Sequence, residues 1–276
     1  MIGIPQAIST SEGFTPPGPG DFNLPPVFGG EETFGFLGQS FYAGATKPMF
    51  LVVLSAVLVV GFFWLASRRA ALVPSRLQFA GEAVYGFVRN GIARDFINEQ
   101  DRMRYVPFLF TIFTFVLVNN YYGVLPVLQF PSMSRIGYVV GLALLSWIVY
   151  NVAGIARFGI VGYLKNQTMP SGITGPILLM LVPLEFISNI IIRPLTLTLR
   201  LFATMFAGHL LLLVFALGGE YLVLEYGGVV GIVGGILSWV MAIAISFLEM
   251  LIMFLQAYVF TLLTAMYIGL ALAEEH

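Results

Sequence analysis

The amino-acid sequence predicts an all-α polytopic membrane protein. About five membrane helices plus one interfacial amphipathic helix are expected, the last two membrane helices being long, strongly tilted and forming a hairpin. Three observations carry that expectation. Hydrophobic residues make up 58% of the 276 positions and charged residues 10%, a balance typical of chains that live in lipid. The apolar residues fall in runs of about 20 or more, the length a helix needs to cross a hydrocarbon core of roughly 30 Å. The final two runs, 183–217 and 229–273, would be about 50 and 65 Å long at ~1.5 Å per residue. Helices of that length cannot stand upright in such a core, so they must tilt or bend.

Residues 1–47 contain the runs Pro16-Pro17-Gly18-Pro19-Gly20 and Pro25-Pro26, and four acids against Lys47. This composition suits an irregular segment on the outer face. No charged start followed by an apolar stretch is present, so the segment does not read as a cleaved signal peptide. The remainder, 48–276, reads as a single membrane domain. Its first spanning helix covers 48–66. Arg68, Arg69 and Arg76 follow it, and the positive-inside rule puts that end in the cytoplasm. The N-terminus then lies outside and the C-terminus is cytoplasmic.

Seven arginines fall between 68 and 104, interleaved with Phe79, Val84, Phe87, Val88, Ile92 and Phe96. Apolar spacings near 3 and 4 predict an amphipathic helix over 77–104 at the cytoplasmic interface; a helix packed on protein would show the same pattern. Residues 105–128 cross outward, with Asn119 and Asn120 near the far end. Residues 137–156 cross back toward Arg157 and Lys165.

The two long helices meet at a turn around Tyr226-Gly227-Gly228, preceded by Glu220 and Glu225. Folding an antiparallel pair about residue 228 sets Arg200 opposite Gln256 and brings His209 within a turn of Glu249. At about 100° per residue, Arg193, Thr196, Arg200 and Thr204 fall on one side of the first helix, with Glu185 at the margin and His209 opposite. Ser238, Glu249, Gln256 and Tyr267 share one face of the second. A lone Ser or Thr hydroxyl can bond its own helix backbone. Arginine at mid-helix is different: on insertion scales it costs about 2.5–3.5 kcal/mol, and such residues face protein or water. The alternative for Arg200 is a side chain that snorkels to the headgroups.

The run Arg193-Pro194-Leu-Thr-Leu-Thr-Leu-Arg200-Leu-Phe-Ala-Thr-Met-Phe-Ala-Gly-His209, with Leu255-Gln256-Ala257 and the terminal Glu274-Glu275-His276, closely resembles the signature of subunit a of F-type ATP synthases. The resemblance covers at least 48–276, and its wording around Phe206-Ala-Gly-His-Leu-Leu-Leu is most similar to bacterial, especially actinobacterial, members. It implies the stator subunit of a rotary proton translocator in a bacterial plasma membrane. Two offset aqueous half-channels would be separated by Arg200, a buried arginine facing the carboxylates of a c ring. The other implied partners are the subunit b stator stalk and the lipid bilayer. A guanidinium keeps its charge, and a nearby opposite charge favours the ionised carboxylate, so each ring carboxylate would release its proton on meeting Arg200. The resemblance assigns His209, Glu249, Gln256 and Asn120 to the outer half-channel and Glu185 and Ser188 to the inner one, with Thr204 and Tyr267 as supporting polar groups. Glu185 lies about 22 Å along the axis from Arg200, too far to neutralise it. Thr204 stands where many members have Asn, and Gly123 where some carry an acid, which leaves more of the outer route to Glu249.

Several chemistries are excluded. Without cysteine there are no disulfides or thiolate metal sites, and neither metal nor other cofactor is expected. A net charge of −1 and the lack of a basic patch with interleaved aromatics exclude nucleic acid. The glycines between Gly227 and Gly235 precede no Lys-Ser/Thr, so they read as close helix packing and not as a phosphate loop. No catalytic site of its own is expected, since no triad or nucleotide fingerprint occurs; protons are the only small-molecule substrate. Two other readings compete. A stand-alone ion-coupled secondary transporter would want internal repeats, which the chain lacks. A structural membrane subunit would have no use for Arg200, His209 and Glu249 at depth.

Overall fold

A computed structural model describes residues 14–22, 26–28, 33–36, 39–42, 45–68, 75–125, 128–168 and 178–273. Pro25, Arg69 and the terminal Glu274, Glu275 and His276, which enter the sequence reading, lie outside the described residues. Ahead of the first long helix come a 3-10 turn, Pro19–Phe22, and four short strands: β1 Pro26–Phe28, β2 Thr33–Phe36, β3 Gln39–Tyr42 and β4 Ala45–Thr46. β1 pairs with β4 and β2 with β3, both antiparallel. The segment expected to be irregular therefore carries local hairpin pairing. Aromatic and β-branched residues such as Thr33, Phe34, Phe41 and Tyr42 favour that conformation, a signal the Gly/Pro content obscures.

From Lys47 onward the described chain is helical: α1 Lys47–Ser67, α2 Arg76–Val88, α3 Glu99–Tyr121, α4 Ile136–Thr168, α5 Met180–Tyr226 and α6 Gly228–Leu272. A π turn, Arg89–Ala93, and a last turn, Arg94–Phe96, extend α2; two more π turns, Ser188–Ile192 and Leu222–Tyr226, lie within α5. Among the described residues five helices, α1 and α3 to α6, are long and apolar enough to cross a membrane. The chain is a multi-pass membrane protein.

Local chemistry explains the breaks. Ser75 caps α2 by accepting the Gln78 amide at 3.3 Å, satisfying one of the amides left open at a helix start. The stretch read as one amphipathic helix over 77–104 stops at Phe96, because Ile97 is extended (φ −117, ψ 129). α3 then begins with Glu99 and Asp101 in its first turn, where the helix dipole favours acids. Arg102 and Arg104 consequently belong to the spanning helix. α4 outruns the expected 137–156: at Gly159 the chain takes φ 72, ψ 167, a conformation open to glycine, and continues helical to Thr168. Gly227 and Gly228, with φ 62 and 69, turn the chain between α5 and α6.

Contacts gather the chain into two compact units. The first comprises the described parts of Met1–Leu54, Asn119–Arg135 and Thr204–Met253. Here α5 and α6 pack together. Ser238 Oγ donates to the Phe215 carbonyl at 2.6 Å, and Trp239 Nε1 to the Ala216 carbonyl at 3.3 Å. A Cβ on Gly235 would stand 2.7 Å from the Gly219 carbonyl, and one on Gly231 2.5 Å from the Leu222 carbonyl. These pairs straddle a point close to residue 228, as an antiparallel fold-back there requires.

The second unit comprises Ser55–Val118, Ile136–Ala203 and the described part of Phe254–His276. Its core includes the fully buried Val88, Ile92, Leu109, Leu197, Leu201 and Ile268. Aromatic contacts join α1, α2, α3 and α6 around it, Phe63 with Phe110 and Phe87 with Phe113 and Phe254. An ion pair, Arg157 with Asp101, ties α4 to the start of α3. At Gly269 a Cβ would collide with the Phe96 carbonyl. Gly269→Ala is expected to destabilise by about 1–3 kcal/mol through overpacking, seen as a lower thermal unfolding midpoint in detergent. Gly141→Ala, where nothing lies within 4 Å, should leave the midpoint unchanged or slightly raised.

Candidate functional site

The first unit holds one polar cluster. His209 on α5 is 4% exposed, Glu249 on α6 2%, and Asn120 at the end of α3 0%. The Glu249 carboxylate rests on the turn that carries His209: a Cβ at Gly208 would be 3.4 Å from Glu249 Oε1. Asn120 Nδ2 donates to the Met253 carbonyl at 3.3 Å, one turn beyond Glu249. His209 Nδ1, both Glu249 oxygens and Asn120 Oδ1 have no hydrogen-bond partner among the described residues. Buried polar atoms seldom go unpartnered, so a cluster of them in an apolar hairpin marks a place for water. An imidazole beside a carboxylate offers two groups able to take up and release protons. At Gly123 a Cβ would come within 2.9 Å of Met253 Cε and 3.2 Å of Pro131 Cβ. An acid would not fit there without displacing both. Thr204 is half-buried on α5.

The second unit holds Arg200, Gln256, Glu185, Ser188 and Tyr267. Arg200 is exposed, so the arginine expected to be buried is not buried by its own chain. Thr196 and Ala203, at helical spacing from it, are exposed as well. Gln256 is 4% exposed and its Nε2 has no hydrogen-bond partner among the described residues. Tyr267 is buried, 5.1 Å beneath the Arg193 guanidinium and 5.7 Å from Tyr150. Glu185 is half-buried, with Asn189 Nδ2 3.5 Å from its Oε2. Ser188, also half-buried, opens the π turn.

That turn organises a group of residues which sequence reasoning did not single out. A π turn widens the helix and displaces carbonyls from the α ladder. Side chains of α4 take them: Trp147 Nε1 donates to the Ile190 carbonyl at 3.0 Å and the Tyr150 hydroxyl to the Asn189 carbonyl at 3.3 Å. Asn189 Nδ2 donates to the Gln167 carbonyl at 2.7 Å, and the Tyr163 hydroxyl to Asn151 Oδ1 at 3.0 Å. Asn151, Tyr163, Gln167, Thr168 and Asn189 line a small cavity. Trp147, Tyr150 and Asn151, at successive spacings of 3 and 1, fall close together on a mostly apolar stretch of helix, a signal the sequence did contain. The π turn was not legible. It inserts an extra residue, so an angle counted across it, as from Arg200 back to Glu185 at the margin of the stripe, is off by roughly 100°. Among the described residues no group of three or more His, Cys, Asp or Glu is placed to hold a metal ion.

Comparison with known proteins supplies a family. The family described as ATP synthase A chain matches residues 49–269. A protein named ATP synthase subunit a from Nocardioides sp. strain JS614 is 60% identical over 265 residues, covering 96% of this chain and 95% of that protein. Proteins of the same name from Pseudarthrobacter chlorophenolicus and Streptomyces lividans are 46% identical over 282 residues and 39% over 264. The first alignment covers 100% of both chains, the second 96% of this chain and 90% of the relative.

The π-turn network generates a test of its own. Trp147→Phe leaves the Ile190 carbonyl without its indole donor, a loss of about 1–3 kcal/mol for a group shielded from water. It should lower the unfolding midpoint in detergent, whereas Trp64→Phe on the exposed side of α1 should not.

Proposed function

We propose, since this chain belongs to the ATP synthase A chain family, that it is the stator subunit of the rotary proton translocator of an F-type ATP synthase. One observation carries the proposal: Arg200 lies exposed on a helix long and apolar enough to cross a membrane. A guanidinium facing hydrocarbon there would cost several kcal/mol. Its exposed face must therefore meet something other than lipid. Short neighbours, Thr196 and Ala203, allow a partner helix to come close, and a carboxylate on that partner would supply the counter-charge.

The proton's course follows from simple electrostatics. A carboxylate within about 4–6 Å of a fixed cation is favoured in its ionised form, so each ring carboxylate gives up its proton on reaching Arg200. Because the guanidinium does not deprotonate, it passes no proton through itself and keeps the two water routes apart. His209 and Glu249 serve the outer route as acid and base, with Asn120 and Gln256 lining it. Glu185 and Ser188 serve the inner route. Thr204 and Tyr267 complete the polar lining. The subunit sits in a bacterial plasma membrane with its N-terminus outside and C-terminus cytoplasmic, against a c ring and a subunit b stalk. ATP chemistry takes place on other subunits.

Arg200→Ala is expected to abolish both ATP-driven pumping and proton-driven ATP synthesis in membrane vesicles while the complex still assembles. Coupled pumping at normal rates in that variant would end the proposal. Glu249→Gln should slow transport in both directions, with partial recovery when His209→Glu is added. Unchanged rates in the single variant would remove Glu249 from the outer route.

A further inference from the structure

The residues ahead of the first membrane helix build a structure over His209 that the proton path leaves unused. Phe22, at the end of the 3-10 turn, is 3% exposed. Its ring lies 4.7 Å from that of Phe206 and 5.9 Å, edge-on, from the His209 imidazole. Its carbonyl accepts two N–H groups of Arg135, from Nε at 3.2 Å and Nη2 at 2.8 Å. Arg135 is itself 3% exposed. At the other end Phe14 lies 5.5 Å from Tyr221 and against Gly218. The segment is thus fastened at both ends along the stretch of α5 between His209 and Tyr221.

Apolar packing alone would not need Arg135. Taking a guanidinium out of water costs several kcal/mol, and here two of its donors are spent on one main-chain oxygen, fixing Phe22 in position and in orientation. Beside the ring is His209, whose Nδ1, like both Glu249 oxygens on the neighbouring turn, has no hydrogen-bond partner among the described residues.

We propose that Phe14–Phe22 is a latched strap governing the access of water to His209, with Phe22 as its stopper and Arg135 as the positioning residue that seats it. The proposal rests on the reading of His209 as part of the outer route, and adds that this route opens and closes at the strap. With Phe22 seated, the imidazole is screened on that side. When the Arg135 bonds to the Phe22 carbonyl release, the ring withdraws and water reaches Nδ1.

The assembled complex in membrane vesicles is treated with diethyl pyrocarbonate, and carbethoxylation is followed by mass spectrometry on the peptide carrying His209. Phe22→Ala and Arg135→Gln should each raise the rate several-fold, and Arg135→Lys, which keeps a donor for the carbonyl, should bring it part of the way back. Equal rates in wild type and Phe22→Ala overturn the proposal. Should those variants fail to assemble, the absence of native cysteine permits a locked form made by Phe22→Cys with Phe206→Cys. Oxidation should slow both His209 modification and passive proton flux, and reductant should restore both. Modification that ignores the lock overturns the strap. Modification that follows the lock while a His209→Ala variant conducts normally overturns instead the assignment of His209 to the proton path.

Discussion

Two helices of unusual length lie against one another, and the closeness of their backbones governs what else the molecule can do. Gly219, Gly231 and Gly235 let main chain touch main chain between α5 and α6, and the Gly227–Gly228 turn sets their relative register. In lipid there is no hydrophobic gain from bringing two apolar helices together, so association depends on packing contact and on hydrogen bonds. The Ser238 and Trp239 bonds to α5 carbonyls supply the second kind. Register follows from this contact: Glu249 lies on the turn that carries His209 only because the helices are held at that phase.

Polar groups at depth are handled in two ways. Around the π turn of the second unit they are bonded to protein. Trp147 and Tyr150 occupy the carbonyls loosened by the π turn, and Asn189 and Tyr163 find partners on α4. Around His209 and Glu249 the reverse holds: buried atoms have no protein partner among the described residues. The first arrangement is rigid scaffolding, since every donor and acceptor accounted for is one less reason to move. The second suits a place where protons and water change hands, because a group already committed to a strong bond is a poor relay.

Much of this was legible in the residues. Apolar run length located the spanning helices, and the glycine pair at Gly227–Gly228 located the hairpin. Counting from that turn brought His209 to Glu249 without any appeal to family. The failures have particular causes. Arg102 and Arg104 were placed on the amphipathic helix because the spacing of apolar residues runs on across Ile97 and Asn98, where the backbone breaks. Helical phase carried back to Glu185 crosses the π turn at Ser188–Ile192, which adds a residue that a uniform angle per residue cannot see. Phe22 and Arg135 are separated by 113 positions, and nothing local in either stretch announces that they meet. Arg200 was expected to be buried against a carboxylate of another subunit, and its own chain leaves it exposed; sequence shows that a charge lies at depth, not which molecule covers it.

The wide turn at Ser188–Ile192 has a consequence for how such chains can diverge. Upstream and downstream of it, the azimuths of the side chains are uncoupled, because a single residue gained or lost there is absorbed by interconverting an ordinary and a widened turn. Glu185 could be re-aimed by an indel of that kind while Arg200 kept its bearing. The spacing between the carboxylate and the arginine is therefore an adjustable dimension of this helix, whereas the spacing from the arginine to the imidazole, along uninterrupted α-helix, is not.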